Sequence, residues 1–255
     1  MTRSTFLKTT VAAAGLGATV SAAETGGREY VEIRKIMLKS PEKQALLESY
    51  LRDAAIPALN KLGVSEVGVF LPEMPDVKAV VYVLLRHASL DTVAKSADVL
   101  SEAAVQQAGA AYLNVTAEEP VYERIESWLT RGIGGMPGVK VPPKGSGLYQ
   151  LRIYESHGEK AAKKKIEMFD MGELAIFARC GLNAVFFGET IIGPLMPNLT
   201  YMLAFADGAA KDAAWNSFRG DPEWAKLKTT PGFTDKEIVT RITNLLLVPA
   251  ACSQI

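Results

Sequence analysis

The sequence predicts an α+β protein made of two tandem β-α-β-β-α-β units that pack into one barrel with pseudo-twofold symmetry. Three observations carry this expectation. Short segments recur in the same order at an offset near 118 residues. Strand-like and helix-like runs alternate identically within each copy. A stretch rich in glycine and proline separates the copies.

The recurrence rests on three aligned segments. Val31-Glu32-Ile33-Arg34 lines up with Tyr149-Gln150-Leu151-Arg152, and Leu62-Gly63-Val64 with Cys180-Gly181-Leu182. Tyr122-Glu123-Arg124-Ile125 then matches Val239-Thr240-Arg241-Ile242 at nearly the same offset. Three matches in one order are hard to obtain by chance.

In the first copy, 30–38 reads as a strand. Ser40 caps a helix with Pro41 at its first position, where the missing N–H does no harm. Leu47, Leu51, Ala55, Leu59 and Leu62 recur at helical spacing until Gly63 ends the run. Pro57, inside that helix, predicts a kink. Strands at 64–71 and 77–86 flank a Pro-Glu-Met-Pro-Asp turn at 72–76. A second helix starts at Ser89 with Leu90, Val93, Ala97, Leu100 and Ala104 on one face, and a strand at 121–129 closes the unit. The second copy repeats this with strands at 148–155, 182–188, 199–206 and 238–248 and helices at 160–180 and 209–218. The units therefore span 28–130 and 147–255, joined by a linker at 131–146 that holds five glycines and three prolines.

Such a unit is the ferredoxin-like split βαβ arrangement, one antiparallel sheet with both helices on one face. The bare face must be covered. Two copies in one chain cover each other sheet against sheet; pairing between two chains, as a homo-oligomer, is the alternative.

A chain of 255 residues can bury a core without disulfide help. Its 28 basic and 28 acidic residues balance, which argues against nucleic acid or an anionic membrane surface as the main partner. Residues 1–23 differ in kind: Arg3 and Lys8, then a small apolar run, then Val20-Ser21-Ala22-Ala23. That order predicts a signal peptide, removed on export to a bacterial periplasm, and a run too short for a permanent membrane anchor. Residues 2–8 are similar to a twin-arginine signal with Ser4 in the second arginine's place, so the route is twin-arginine or general secretory. Two cysteines are too few for a disulfide framework. Cys180 reads as a small buried hydrophobe, with a Cys180–Cys252 bridge as the alternative.

Gly172-Glu173-Leu174-Ala175-Ile176-Phe177, Phe186-Phe187-Gly188, Pro197-Asn198-Leu199-Thr200-Tyr201-Met202-Leu203, Ala214-Trp215-x-x-Phe218, Asp221-Pro222-Glu223-Trp224 and Ser253-Gln254-Ile255 stand in series. Together they resemble the NIPSNAP family, closely over the second copy and in outline over the first. The resemblance implies a dimeric α+β-barrel type of fold, whose superfamily also holds cofactor-free monooxygenases and haem enzymes. It implies no catalytic set and no cofactor.

Strand alternation puts Ile33 and Leu151 on one face and Glu32, Arg34, Gln150 and Arg152 on the other. With the apolar face assigned to the helices, the arginines are expected inside the barrel. Arg124 and Arg241 occupy matching places in the closing strands. Arg34, Arg152 and Arg241, with Tyr154 and Tyr201 as hydroxyl donors, would there bind an anionic or carbonyl-bearing small molecule. A salt-bridge network with Glu32 and Glu123 is the alternative. Glu173 is the candidate general base, its pKa raised by burial near the barrel mouth.

His87 and His157 read as exposed loop residues. Neither has a second ligand at useful spacing, so no metal site is expected, and one axial haem ligand is the residual alternative. Trp215, Phe218 and Trp224 read as packing, and Lys163-Lys164-Lys165 as the wet face of a helix start. The functional expectation is an exported small-molecule binder or cofactor-independent enzyme; a packed, inert barrel used for protein interaction is the alternative.

Overall fold

The computed structural model describes residues 27–74 and 79–255. The expected export segment at 1–23, the tip of the 72–76 turn and the first residues of the strand expected from 77 lie outside the described residues.

Among the described residues there are eight strands: β1 (Tyr30–Leu38), β2 (Gly68–Pro72), β3 (Val80–His87), β4 (Tyr122–Gly132), β5 (Leu148–Glu155), β6 (Asn183–Ile192), β7 (Asn198–Phe205) and β8 (Arg241–Pro249). They close into a barrel in the order β1-β3-β2-β8-β5-β7-β6-β4. Each half supplies a four-stranded antiparallel sheet in ferredoxin-like order, β4-β1-β3-β2 and β8-β5-β7-β6. The two sheets also hydrogen-bond edge to edge. One seam pairs β2 with β8 at Phe70–Pro249 and the other pairs β4 with β6 at Gly132–Gly188. Among the described residues the barrel closes and leaves no sheet edge open for aggregation.

Helices cover the outside. The first half carries α1 (Gln44–Tyr50), α2 (Ile56–Lys61), α3 (Leu90–Asp98), α4 (Ala103–Ala108) and α5 (Ala110–Leu113). The second carries α6 (Glu159–Met168), α7 (Leu174–Arg179), α8 (Gly208–Gly220), α9 (Pro222–Leu227) and α10 (Asp235–Ile238). Between α1 and α2 the chain makes a wide π-turn, Leu51–Ala55, in which the Ile56 N–H donates to the Leu51 carbonyl. The same turn recurs between α6 and α7 at Phe169–Glu173, where the Leu174 N–H donates to the Phe169 carbonyl. These turns are 118 residues apart. Ala175 stands where the first copy has Pro57, so the proline alone does not cause the widening.

The strand faces are the reverse of the expectation. Val31, Ile33, Tyr82, Leu84, Trp128, Tyr149, Leu151, Ile153, Met202 and Leu247 form one cluster between the sheets. The apolar face chosen for the helices is thus the barrel core. Glu32, Arg34, Gln150 and Arg152 point outward, under the helices. The sequence is permissive here because both faces of these strands are covered, so each alternate set can be buried. β7 makes this plain: all eight of its residues are buried.

Other boundaries shift for local reasons. β2 begins at Gly68 rather than Val64. β8 starts only at Arg241, because Thr234 and Glu237 form a capping box that winds 235–238 into a helical turn. In α3 the buried positions are Ser96 and, just beyond, Val99, whereas Leu90 is exposed. Ser96 can be buried because its hydroxyl donates to the Val93 carbonyl at 2.8 Å. The linker is tacked down rather than free: Ile133 and Met136 are buried, and the Val139 N–H donates to Glu29 at 2.9 Å. Cys180 and Cys252 are both free thiols, with Cys180 buried.

Candidate functional site

Because the arginines lie under the helices, each half of the barrel has a helix–sheet compartment with an arginine on its floor. Arg34 and Arg152 hold equivalent registers, Arg34 opposite Val83 and Arg152 opposite Tyr201. The two compartments can therefore be compared position by position.

The second compartment is full. The Arg152 Nη2 donates to the Tyr154 hydroxyl at 3.1 Å, and the Tyr201 hydroxyl donates to the same oxygen at 3.0 Å. The guanidinium also lies over the Trp215 ring, 4.7 Å from its centroid. Phe169, Phe177, Phe187 and Tyr201 pack around this group, with Phe187 and Tyr201 stacked at 4.4 Å. Burial drives the Tyr201 hydroxyl far above its ordinary pKa, and neighbouring Tyr154 adds to the shift while Arg152 opposes it.

Glu173 belongs to this compartment, not to the barrel mouth. Its carboxylate accepts from the Lys165 Nζ at 2.8 Å, and both side chains are buried. Burial raises the Glu173 pKa despite the opposing charge of Lys165. Lys165 is therefore a core residue, contrary to its expected wet-face role, while Lys163 is exposed and Lys164 half-buried. Its spacing from Ala161, Ala162, Met168 and Phe169, all buried, was the signal that placed it inward.

In the first compartment smaller side chains stand at the equivalent places. Leu47, Leu51, Ala55 and Leu59 replace Lys165, Phe169, Glu173 and Phe177, each at the 118-residue offset. Ile36, Val69 and Val83 likewise replace Tyr154, Phe187 and Tyr201. A cavity of about 150 Å³ remains, with Arg34, Tyr50, Leu51, Ala55, Val83 and Tyr112 in its wall. Tyr50 and Tyr112 stack with centroids 4.2 Å apart. Exposed Tyr122 and Ile125, which also line the cavity, mark its outer side.

The floor is organised electrostatically. The Arg34 Nε and Nη2 donate to the two oxygens of Glu32 at 2.7 and 3.1 Å, and the Ser127 hydroxyl donates to the same carboxylate at 2.8 Å. Burial pushes the Glu32 pKa up, but neighbouring His87 and the hydrogen-bonded Arg34 guanidinium outweigh it and hold the group at about 2. His87, expected in an exposed loop, is fully buried at the end of β3, its Nε2 3.5 Å from Glu32. His157 is exposed, as expected. With Nε and Nη2 occupied, the Arg34 Nη1 remains for another acceptor. The Tyr50 hydroxyl is buried without a hydrogen-bond partner. Burial raises its pKa to about 12, so it stays a protonated donor at neutral pH.

Sequence reasoning thus brings four of its candidates together, Arg152, Tyr154, Tyr201 and Glu173, in one closed compartment. It leaves Arg34 alone at the equivalent open one. Arg241 joins neither: its side chain is largely exposed, 3.7 Å from Glu155. The sequence reading does not reach Tyr50 and Tyr112, since they enter from the helices and it sought the site on the strands.

Three solved structures share this architecture. One is a candidate monooxygenase from Lactobacillus acidophilus, 8% identical, with a TM-score of 0.60 over 88% of this chain and 94% of its own. A second candidate monooxygenase, from Fusobacterium nucleatum, is 11% identical, with a TM-score of 0.56 over 88% and 93%. The third, an anthrone oxidase-like protein, is 9% identical, with a TM-score of 0.51 over 88% and 92%. At these identities the likeness concerns the fold, an α+β barrel formed by two ferredoxin-like halves. No curated protein matches the sequence. The NIPSNAP family is matched over residues 149–254. The second half of the chain, with its filled compartment, is a NIPSNAP domain.

Proposed function

We propose that this chain is an exported binding protein for a small aromatic molecule bearing a phenol or carboxylate, held in the helix–sheet cavity of the first half. The observation that carries the reading is the comparison between compartments. Where Arg152 donates to Tyr154, which also accepts from Tyr201, Arg34 is paired with Glu32 through Nε and Nη2 and faces Ile36, Val83 and open space on its remaining side. The missing groups describe the ligand: a ring with an oxygen that accepts from a guanidinium. A cavity of roughly 150 Å³ is the size that holds one benzene ring.

The same cavity suits catalysis without a cofactor. A phenol bound beside Arg34 would have its anion favoured by the guanidinium, and an electron-rich phenolate is the form that reacts with oxygen. The neighbours described as monooxygenases make oxygen consumption the first activity to assay. The packed barrel core favours a second reading, that the barrel is an inert module recognised by another chain.

The test is calorimetric titration of the full chain with 4-hydroxybenzoate. Binding is expected for the wild type, at least tenfold weaker for Arg34→Met, and lost in Ile36→Tyr/Val83→Tyr, which rebuilds the second compartment's phenol pair. A double variant that folds and binds unchanged overturns the reading.

A further inference from the structure

We propose that one mouth of the barrel is a separate binding site, for an amphipathic monocarboxylate whose apolar chain enters between the sheets. The barrel core packs its middle, but at the end where β1, β4, β5, β7 and β8 converge a cavity of about 360 Å³ is left. That is more than twice the volume of roughly 150 Å³ that holds benzene, so it calls for a chain rather than a single ring.

The walls are apolar, built from Tyr82, Trp128, Ile153 and Leu245, and Pro194 and Leu195 of the β6–β7 turn roof them. The turn is fixed from inside. The Asn198 Nδ2 donates to the carbonyls of Pro194 and Leu195 at 3.3 and 2.9 Å. Its Oδ1 accepts from Thr190 and Thr200 at 2.6 and 2.9 Å. Leu195 is held at φ +62°, a conformation that costs a leucine energy and that surrounding contacts must enforce.

These bonds use up the polar atoms of Asn198 and Thr200. One buried donor stays unspent: the Trp128 indole N–H has no partner. Lys35, one rung nearer the opening on the same face of β1 as Ile33, is ion-paired at 3.8 Å with Glu126, and both line the cavity. The indole lacks an acceptor, while the largely apolar wall gives water too few partners to fill the space. A carboxylate head that accepts from the Trp128 N–H beside Lys35, with its chain laid against Ile153 and Leu245, supplies that acceptor. Outside the roof, exposed Ile192, Leu195 and Met196 form an apolar lip over which such a chain would pass.

Titration of the full chain with decanoate below its micelle concentration, read by calorimetry and by tryptophan fluorescence, tests this. One-to-one binding is expected, at least tenfold weaker for decanol and for Lys35→Met. It should be lost on plugging the cavity with Leu245→Trp, or with Thr243→Phe should the first plug lower the melting temperature sharply. Ile36→Tyr/Val83→Tyr should leave it unchanged, which separates this site from the helix–sheet cavity. No binding, binding that survives both plugs, or equal affinity for decanol overturns the proposal.

Discussion

Arg34 faces Val83 across the first half-sheet at the register where Arg152 faces Tyr201 across the second. One exchange of a branched aliphatic residue for a tyrosine, repeated at Ile36 and Tyr154, separates a compartment with space from one without. Both halves keep the arginine and the wide turn above it.

The filled compartment should depend on its own hydrogen bonds. In Tyr154→Phe the Arg152 Nη2 and the Tyr201 hydroxyl lose their shared acceptor in a buried setting. We expect a loss of about 2–3 kcal/mol. Tyr201→Phe removes only a donor and should cost about 1 kcal/mol. Urea unfolding of both variants checks the order, and an equal or reversed cost would contradict the network.

The Lys165–Glu173 pair should behave as a buried ion pair. Lys165→Met leaves the carboxylate unpaired, at a cost of about 3–5 kcal/mol at neutral pH, whereas Lys165→Met/Glu173→Leu should be near neutral. The sign with pH follows from the raised pKa of Glu173. A folded state that holds the proton more tightly than the unfolded chain is favoured below the unfolded carboxylate range and loses that advantage as pH rises. The Lys165→Met variant should therefore unfold more easily at pH 7 than at pH 4.5, relative to wild type.

Glu32 has the opposite sign. Its pKa is held at about 2, so its contribution is full above the ordinary value of 4.5 and is lost as pH falls toward 2. The shift corresponds to about 3 kcal/mol at most. Glu32→Gln should flatten the stability profile between pH 4.5 and 2, measured by thermal melting across that range.

Barrel closure depends on glycine at the β4–β6 seam. A Cβ at Gly132 would collide with the Pro137 carbonyl, and one at Gly188 with the Thr130 side chain. These two glycines pair with each other across the seam. Either alanine substitution should cost more than about 2 kcal/mol, because neither the Pro137 backbone nor the buried, β-branched Thr130 can yield as a long flexible side chain can. Hydrogen exchange should show the loss first in β4 and β6.

The repeat, the ferredoxin-like order and the closing of one sheet on the other were legible because they depend on chain-wide spacing. The facing of the strands was not. Alternation in Val31–Arg34 separates two sets of residues, but with helices outside and a second sheet inside, neither set belongs to water. The wrong set was assigned to the interior, and with it the arginines. His87 is misread because its burial depends on Glu32, a partner distant in sequence; Lys165 is misread because a run of three lysines looks like a solvated face, although its partner Glu173 stands only eight residues on. Yet the offset that places Lys165 on Leu47 and Phe169 on Leu51 was available from the repeat. Followed through the helices, it marks where the first half is short of side-chain volume.

The most direct test is a crystal structure of the full chain purified from its own host, examined for density between the first half's helices and sheet. The account predicts a single-ring molecule with an oxygen within hydrogen-bonding distance of the Arg34 guanidinium. A cavity closed by rotation of Tyr50 or Tyr112, with no density beside Arg34, would contradict it.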